Sequence, residues 1–241
     1  MIKIIYAIIL AYFVLGGLGF YLINRKREWE IARKSYTKFI SYFFIIHIIF
    51  LSIVIRPEFF RIVSIGIIFV SFIELLRLRK FSSHKQNIFF LFSLVLFVLF
   101  ALGFFIFSGL STEVMLFVFL ILSIFDSFSQ ISGQLFGKIK LLPTISPNKT
   151  LGGLVGGLGF ALASSLLLGD LYAGTSIKTV LLAFGVVVFA FLGDIAASYY
   201  KRRYNVKDFS NWIPGHGGFL DRFDSLLAGG AFGAFYIYLL S

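Results

Sequence analysis

The sequence contains no cysteine, which excludes disulfides and thiolate metal sites and leaves redox compartment unreadable from this residue. It also has little charge. Asp, Glu, Lys and Arg make up 14% of the chain, against about 25% in soluble domains. Acidic residues are the scarcer sign, with 11 Asp and Glu against 22 Lys and Arg, a formal net charge of +11. What fills the chain instead is apolar: 59% hydrophobic residues, 33 of them Phe among 241 positions, and a mean hydropathy of +0.96. The apolar runs approach the roughly 18–20 residues that a helix needs to cross about 30 Å of hydrocarbon. A soluble protein of this composition would expose far too much apolar surface, so the chain reads as an integral membrane protein. On a soluble protein the basic excess would suggest nucleic acid. On a membrane protein it reads as basic residues held beside anionic lipid on the cytoplasmic face, and no nucleic-acid partner is expected.

Eight apolar segments stand out, at about 4–23, 39–55, 59–76, 88–108, 114–125, 151–168, 179–193 and 226–240. The first is followed by Arg25-Lys26-Arg27 and not by a small-residue cleavage site, which predicts a retained helix. The fifth is short, and its pattern continues through Asp126 towards Gly133 as a polar-faced helix. The expected fold is all-α, a polytopic transmembrane bundle of about eight helices. Residues 1–110 supply N-terminal transmembrane helices, and 111–241 a catalytic transmembrane region of the same membrane domain. Charge supports the count: 18 of the 22 Lys and Arg fall in the loops after segments 1, 3, 5 and 7. By the positive-inside rule this puts both termini outside the cell (inner or plasma) membrane, and two long loops, about 126–150 and 194–225, in the cytoplasm.

Those two loops hold nearly all the unusual polar residues. Four basic residues in the seven positions from Lys201 to Lys207 can neutralise a polyphosphate, with Arg supplying forked contacts. Pro214-Gly-His216-Gly217-Gly218 is a sharp loop whose backbone N–H groups can approach an anion. Asp194, Asp221 and Asp224 can gather around a divalent cation, and Mg²⁺ commonly takes one or two carboxylates plus substrate phosphates. Taken singly, each feature has a plainer reading: a basic run beside a membrane helix is an anchor, a lone Asp a cap, a Gly pair a turn. Their density in one short stretch of a chain that otherwise avoids charge favours a phosphoryl- or nucleotidyl-transfer site.

The stretch resembles the signature of the phosphatidate cytidylyltransferase (CDP-diacylglycerol synthase) family. Ser198, Lys201, Arg202, Lys207, Asp208, Ser210, Pro214, His216, Gly217, Gly218, Asp221, Arg222 and Asp224 match its fixed positions in register across 27 residues. The departure is Tyr200, where the family usually has an aliphatic residue or Phe. The other loop matches less cleanly, with Asp126, Gln130, Gly133, Gly137-Lys138, Ser146-Pro147-Asn148-Lys149-Thr150, Gly152-Gly153 and Gly156-Gly157. There Ile131 stands where a Tyr is often found, and Gly152 replaces an acidic residue. The resemblance covers roughly residues 120–240; the first 110 residues match only in being hydrophobic helices.

The resemblance implies the reaction CTP + phosphatidate → CDP-diacylglycerol + pyrophosphate with Mg²⁺. It implies membrane lipid as surroundings and carries the expectation of a homodimer. Asp194 and Asp221 are the first expected metal ligands, followed by Asp224 and Asp126. Lys201, Arg202, Lys207 and Arg222 are expected to hold triphosphate or lipid phosphate, with Lys149 and Ser146 approaching from the other loop. Asp208, Gly217 and Gly218 belong to the same expected site. His216 is expected to orient or hydrogen-bond phosphate rather than act as a base, because the nucleophile is already ionised. His47 reads as a packed helix residue, His84 as a loop residue without a role, and Glu74 as a snorkelling side chain or the partner of Arg77. Three alternatives differ in class: a CTP-dependent transferase acting on another lipid phosphate or polyprenol, a transporter with an ion site in broken helices, and a catalytically silent relative.

Overall fold

The computed structural model of the chain describes residues 2–26, 28–79 and 87–240; Arg27 and residues 80–86, including His84, lie outside them. In chain order the elements are α1 (Ile2–Asn24), α2 (Trp29–Ile55), α3 (Pro57–Arg79), α4 (Asn87–Phe107) and α5 (Thr112–Phe136). A hairpin of β1 (Lys140–Leu142) and β2 (Ser146–Thr150) follows, and then α6 (Leu151–Leu167), α7 (Gly169–Tyr172), α8 (Ser176–Arg203) and α9 (Leu220–Leu239). Six helices, α1 to α5 and α8, are long and apolar enough to cross a membrane. Helix α6 has 17 residues, about 25 Å at 1.5 Å per residue, and α9 opens on the charged turn Asp221-Arg222. Each of the eight apolar segments falls on one of these helices, and α7 is an added single turn. The all-α multi-pass bundle is therefore the fold of this membrane protein, with eight an approximate helix count.

Three boundaries differ from the sequence reading. Helix α8 does not end at Gly193-Asp194 but runs ten residues further to Arg203. No breaker interrupts Ile195-Ala196-Ala197-Ser198, and Gly193 lets α8 lie against α9, where an added Cβ would sit 2.5 Å from the Ala228 methyl. Helix α5 runs on through Asp126 to Phe136, as its polar-faced continuation suggested, but further. The segment after it pairs Lys140 with Thr150 and Leu142 with Ser146 in a two-stranded hairpin, short enough that alternation could not reveal it.

The core forms around α5, whose residues Met115, Leu116, Phe117, Val118 and Ile121 are wholly buried; a helix apolar on all sides belongs at the centre. Helix α6 lies against the C-terminal half of α5 through its glycines. Without a hydrophobic drive inside lipid, close backbone approach of this kind is what holds helices together. Thr150 caps α6 by accepting a hydrogen bond from the Gly153 N–H at 3.1 Å, which fixes where the hairpin hands over to the helix.

Candidate functional site

The loop of residues 204–219, between α8 and α9, is held from two sides by the N-terminal half. From α2, the Ser41 hydroxyl donates to the Pro214 carbonyl at 2.9 Å, Lys38 packs against Gly215, and Tyr42 stacks near the His216 ring. From α3, the Tyr200 hydroxyl of α8 finds the Leu75 carbonyl at 2.9 Å, so the residue that departs from the family pattern has a specific partner. Beside it, Glu74 is fully buried. Its Oε1 accepts from the Ser210 hydroxyl at 2.5 Å and from the Phe219 N–H at 3.0 Å, and its Oε2 accepts from the Leu220 N–H at 2.8 Å. Phe219 supplies no side-chain cap of its own. Glu74 thus satisfies the orphan donors of α9 from another helix, where a negative charge also suits the helix dipole.

Glu74 therefore neither snorkels nor pairs with Arg77; burial against unsatisfied amides overrides the local i, i+3 pairing. Sequence reading missed its role, although a carboxylate inside an apolar helix was the available signal. His47 is packed as expected, among Phe13 and Phe43, with its Nδ1 at 2.8 Å from the Phe43 carbonyl.

Two ion pairs lie at this end of the bundle. Lys149, from β2, meets Asp194 of α8 at 2.7 Å, with side chains 14% and 38% exposed, so the two loops picked out in the sequence converge here. Asp194 also accepts from Ser198 at 3.2 Å, one turn on. Lys201 meets Asp221 at 2.5 Å, with exposures of 11% and 1%. The second oxygen of Asp221 accepts from the N–H groups of Phe209 and Gly218, both at 2.8 Å. Both oxygens of Asp221 thus have partners within the protein, an arrangement that ties the loop to α8. Gly218 has its N–H committed to Asp221, and an added Cβ would lie 2.5 Å from the Glu74 Oε1. Its smallness is needed for carboxylate approach, and its amide is not directed at a ligand.

The remaining site residues divide by access. Asp126 is exposed on α5 and within electrostatic reach of Asp194, Lys149 and Arg222. Asp224 is buried and feels Asp194, Lys201 and Arg222. Arg222 and Lys207 are exposed. Arg202 reaches across to the hairpin, its Nε donating to the Ile145 carbonyl at 3.1 Å and a terminal nitrogen to the Val206 carbonyl at 2.9 Å, beside Ser146 in β2. Asp208 packs on Gly217, whose φ of +84° favours glycine. Burial, then the positive charge of Arg222, lowers the His216 pKa below its ordinary value of 6.5, with the Pro214 carbonyl opposing and Lys38 assisting. His216 is therefore neutral at pH 7.

Among the described residues no three carboxylate or imidazole groups converge into a metal cage. Asp194, which is within electrostatic reach of both Asp126 and Asp224, fits a cation that takes one or two protein carboxylates and completes its shell with substrate phosphates. Gly152 has a steric reason: a Cβ there would sit 2.7 Å from the Phe136 carbonyl oxygen. An acidic side chain at that position would push α6 off α5. Behind Asp224 lies an apolar cavity of about 270 Å³ between α3, α4, α8 and α9, lined among others by Leu75, Phe97, Ala197, Tyr200 and Leu227.

A model of the cytidylyltransferase family matches residues 1–240. The phosphatidate cytidylyltransferase of Staphylococcus epidermidis (strain ATCC 35984) is 34% identical over 213 residues, 82% of this chain and 80% of that protein. That of Staphylococcus saprophyticus is 44% identical over 115 residues, 46% of this chain and 44% of the relative. That of Haemophilus influenzae is 37% identical over 132 residues, 52% and 46% of the two chains. The matched stretch thus spans under half the length of the last two relatives and four fifths of the first.

Proposed function

The chain belongs to the cytidylyltransferase family, and from that premise we propose that it transfers the cytidylyl group of CTP to phosphatidate, giving CDP-diacylglycerol and pyrophosphate. The observation that carries the reading is the Lys149–Asp194 contact at 2.7 Å. It joins the two polar loops at one end of an apolar bundle, where a charged nucleotide and a lipid headgroup can meet.

In the proposed reaction a phosphate oxygen of the lipid bonds to the α-phosphorus of CTP as the bond to the β-phosphate oxygen breaks. The nucleophile is already ionised, so the protein's task is alignment and charge neutralisation. Lys149 and the exposed Arg222 and Lys207 are cations available to phosphate oxygens. Arg202 is partly spent on the hairpin and Lys201 on Asp221, so their contribution is to hold the frame. Neutral His216 can donate or accept one hydrogen bond at the loop. Mg²⁺ is the divalent ion we propose, held by Asp194 with one of its acidic neighbours, Asp126 or Asp224, and when bound it would neutralise triphosphate charge. The apolar cavity beside Asp224 suits acyl chains that remain in lipid while the headgroup reaches these charged side chains. The loops after α1, α3, α5 and α8 carry the basic excess and are proposed to face the cytoplasm, with both termini outside. A homodimer is the proposed assembly, to be read by light scattering in detergent.

The test is purified protein in detergent with dioleoyl phosphatidate, α-³²P-CTP and Mg²⁺, beside Asp194→Asn. Lipid-soluble label that requires Mg²⁺ and falls in the variant is the expected result. Absence of lipid label with folded wild-type protein overturns the acceptor, and a panel of other lipid phosphates then decides whether any transfer occurs.

A further inference from the structure

We propose that Glu74, in the part of the chain that carries none of the signature, is a positioning residue for the transfer site; the proposal rests on the reaction given above. Helix α9 begins without a cap of its own: Phe219, at its N-cap position, has helical backbone angles and makes no side-chain cap. The first turn of α9 nevertheless carries Asp221 and Arg222, and Asp224 follows at the start of the next turn, so its register decides where these three side chains point. What fixes that register comes from α3. Glu74 accepts from the Phe219 and Leu220 N–H groups and, through the Ser210 hydroxyl, from the turn that precedes the Pro-Gly-His-Gly-Gly loop.

The carboxylate is fully buried and has no Lys, Arg or His partner at salt-bridge distance among the described residues. Three donors converge on its two oxygens. A buried carboxylate without a counter-ion is costly unless such donors hold it, so loop, helix start and carboxylate are required to assemble together. Two neighbouring features fit the same clamp. Gly218 leaves the space the carboxylate occupies, and the Tyr200–Leu75 hydrogen bond anchors α8 to the adjacent residue of α3. Lys201, the partner of Asp221, follows Tyr200 directly. Glu74 touches no substrate in this arrangement. It acts through α9 and the Ser210 turn.

The test separates a positioning role from a merely structural one. In Glu74→Gln the side chain keeps its shape, but its amide nitrogen faces an N–H that needs an acceptor. The expected result is a kcat lowered roughly 10–100-fold, the usual effect of disturbing partners that orient a site, with KM for CTP changed far less. A second readout needs no turnover. In a Trp29→Phe background Trp212, two residues from Ser210, is the remaining tryptophan, and its fluorescence anisotropy should fall in Glu74→Gln. Glu74→Asp, which keeps the charge but shortens the reach, should restore little of either. Wild-type kcat per folded molecule together with unchanged Trp212 anisotropy in Glu74→Gln overturns the proposal. If that variant does not fold, Ser210→Ala removes one of the three bonds, leaves Glu74 in place and is judged by the same two readouts. A wild-type protein that forms no CDP-diacylglycerol would sink the reaction, and the anisotropy result alone would then judge the clamp.

Discussion

Asp221→Asn tests whether this residue is committed to the frame or free for a ligand. The side chain is 1% exposed, with one oxygen at 2.5 Å from Lys201 and the other accepting two backbone N–H groups at 2.8 Å. An asparagine has one acceptor oxygen and one donor nitrogen. Turned towards the amides, its oxygen serves them while its nitrogen faces the Lys201 ammonium; turned the other way, two N–H groups lose their acceptor. In both cases Lys201, itself buried, loses the carboxylate it meets at 2.5 Å. Removing one partner of a buried pair costs about 3–5 kcal/mol. For a chain of this size each kcal/mol moves the melting temperature by about 2–4 °C, so the variant should melt about 6–20 °C below wild type. The assay is intrinsic fluorescence on heating in detergent without nucleotide or metal, at one scan rate; dyes that read exposed thiols are useless in a chain without cysteine. A ligand-free Asp221→Asn protein melting within about 2 °C of wild type would refute the reasoning. It would mean that the carboxylate is not bound into the frame and is available to a cation.

Lys149→Ala should behave differently, because its pair with Asp194 is part exposed and contributes little to stability. A melting point within about 3 °C of wild type is expected, with KM for CTP raised roughly tenfold or more, the worth of one charge-assisted hydrogen bond; unchanged KM would remove Lys149 from the phosphate site. Gly152→Asp, which installs the acid this chain lacks, should lower the melting temperature and not raise turnover, since the Cβ alone meets the Phe136 carbonyl at 2.7 Å and overpacking costs about 1–3 kcal/mol. A gain in turnover at unchanged stability would refute it. His216 should titrate below 6.5 in a histidine-selective NMR experiment assigned with His216→Asn. Its folded pKa is depressed, so the unfolded chain takes the proton first. The stability from neutral His216 is then fully present above about 6.5 and lost as pH falls below that value towards the folded pKa; a midpoint above 6.5 would contradict the burial that causes the shift.

The helices were legible because each of the eight apolar segments falls on one of them, a signal of composition that survives without knowing any neighbour. The polar ends were not, because apolar length says nothing about where a helix stops once it leaves lipid. Helix α8 carries Asp194, Ser198, Lys201 and Arg202 on continuous helix where a loop was expected, and this i, i+4 spacing lets Ser198 reach Asp194. The site's residue types were visible in the Ser198–Asp224 stretch, but their duties were not. Asp221 reads from sequence like any other carboxylate of the stretch, and only its three donors distinguish it from Asp194. Glu74 lies more than a hundred positions from the residues it holds, so no local pattern could connect them. Gly152 looked like a lost acid and is a contact point between two helix backbones.

The two ion pairs differ in a way that assigns them different work. Lys201–Asp221 is sealed, and its carboxylate is shared with two backbone amides. Exchanging its lysine for a phosphate would leave a buried carboxylate facing an anion, which is strongly unfavourable. Lys149–Asp194 is open to water on its carboxylate side, where Asp194 is 38% exposed, and Asp194 has a long second hydrogen bond to Ser198 at 3.2 Å. In the proposed reaction Lys149 would turn to the polyphosphate, and Asp194 would then be free to hold the cation. Attraction within the pair offsets the repulsion that Asp194 exerts on Asp126 and Asp224, and in the proposed reaction that offset is surrendered only when substrate supplies a replacement. Variants should therefore separate by pair, with losses at Lys201 or Asp221 appearing as instability before any substrate is added, and losses at Lys149 or Asp194 appearing in substrate and metal dependence of a protein that is still folded.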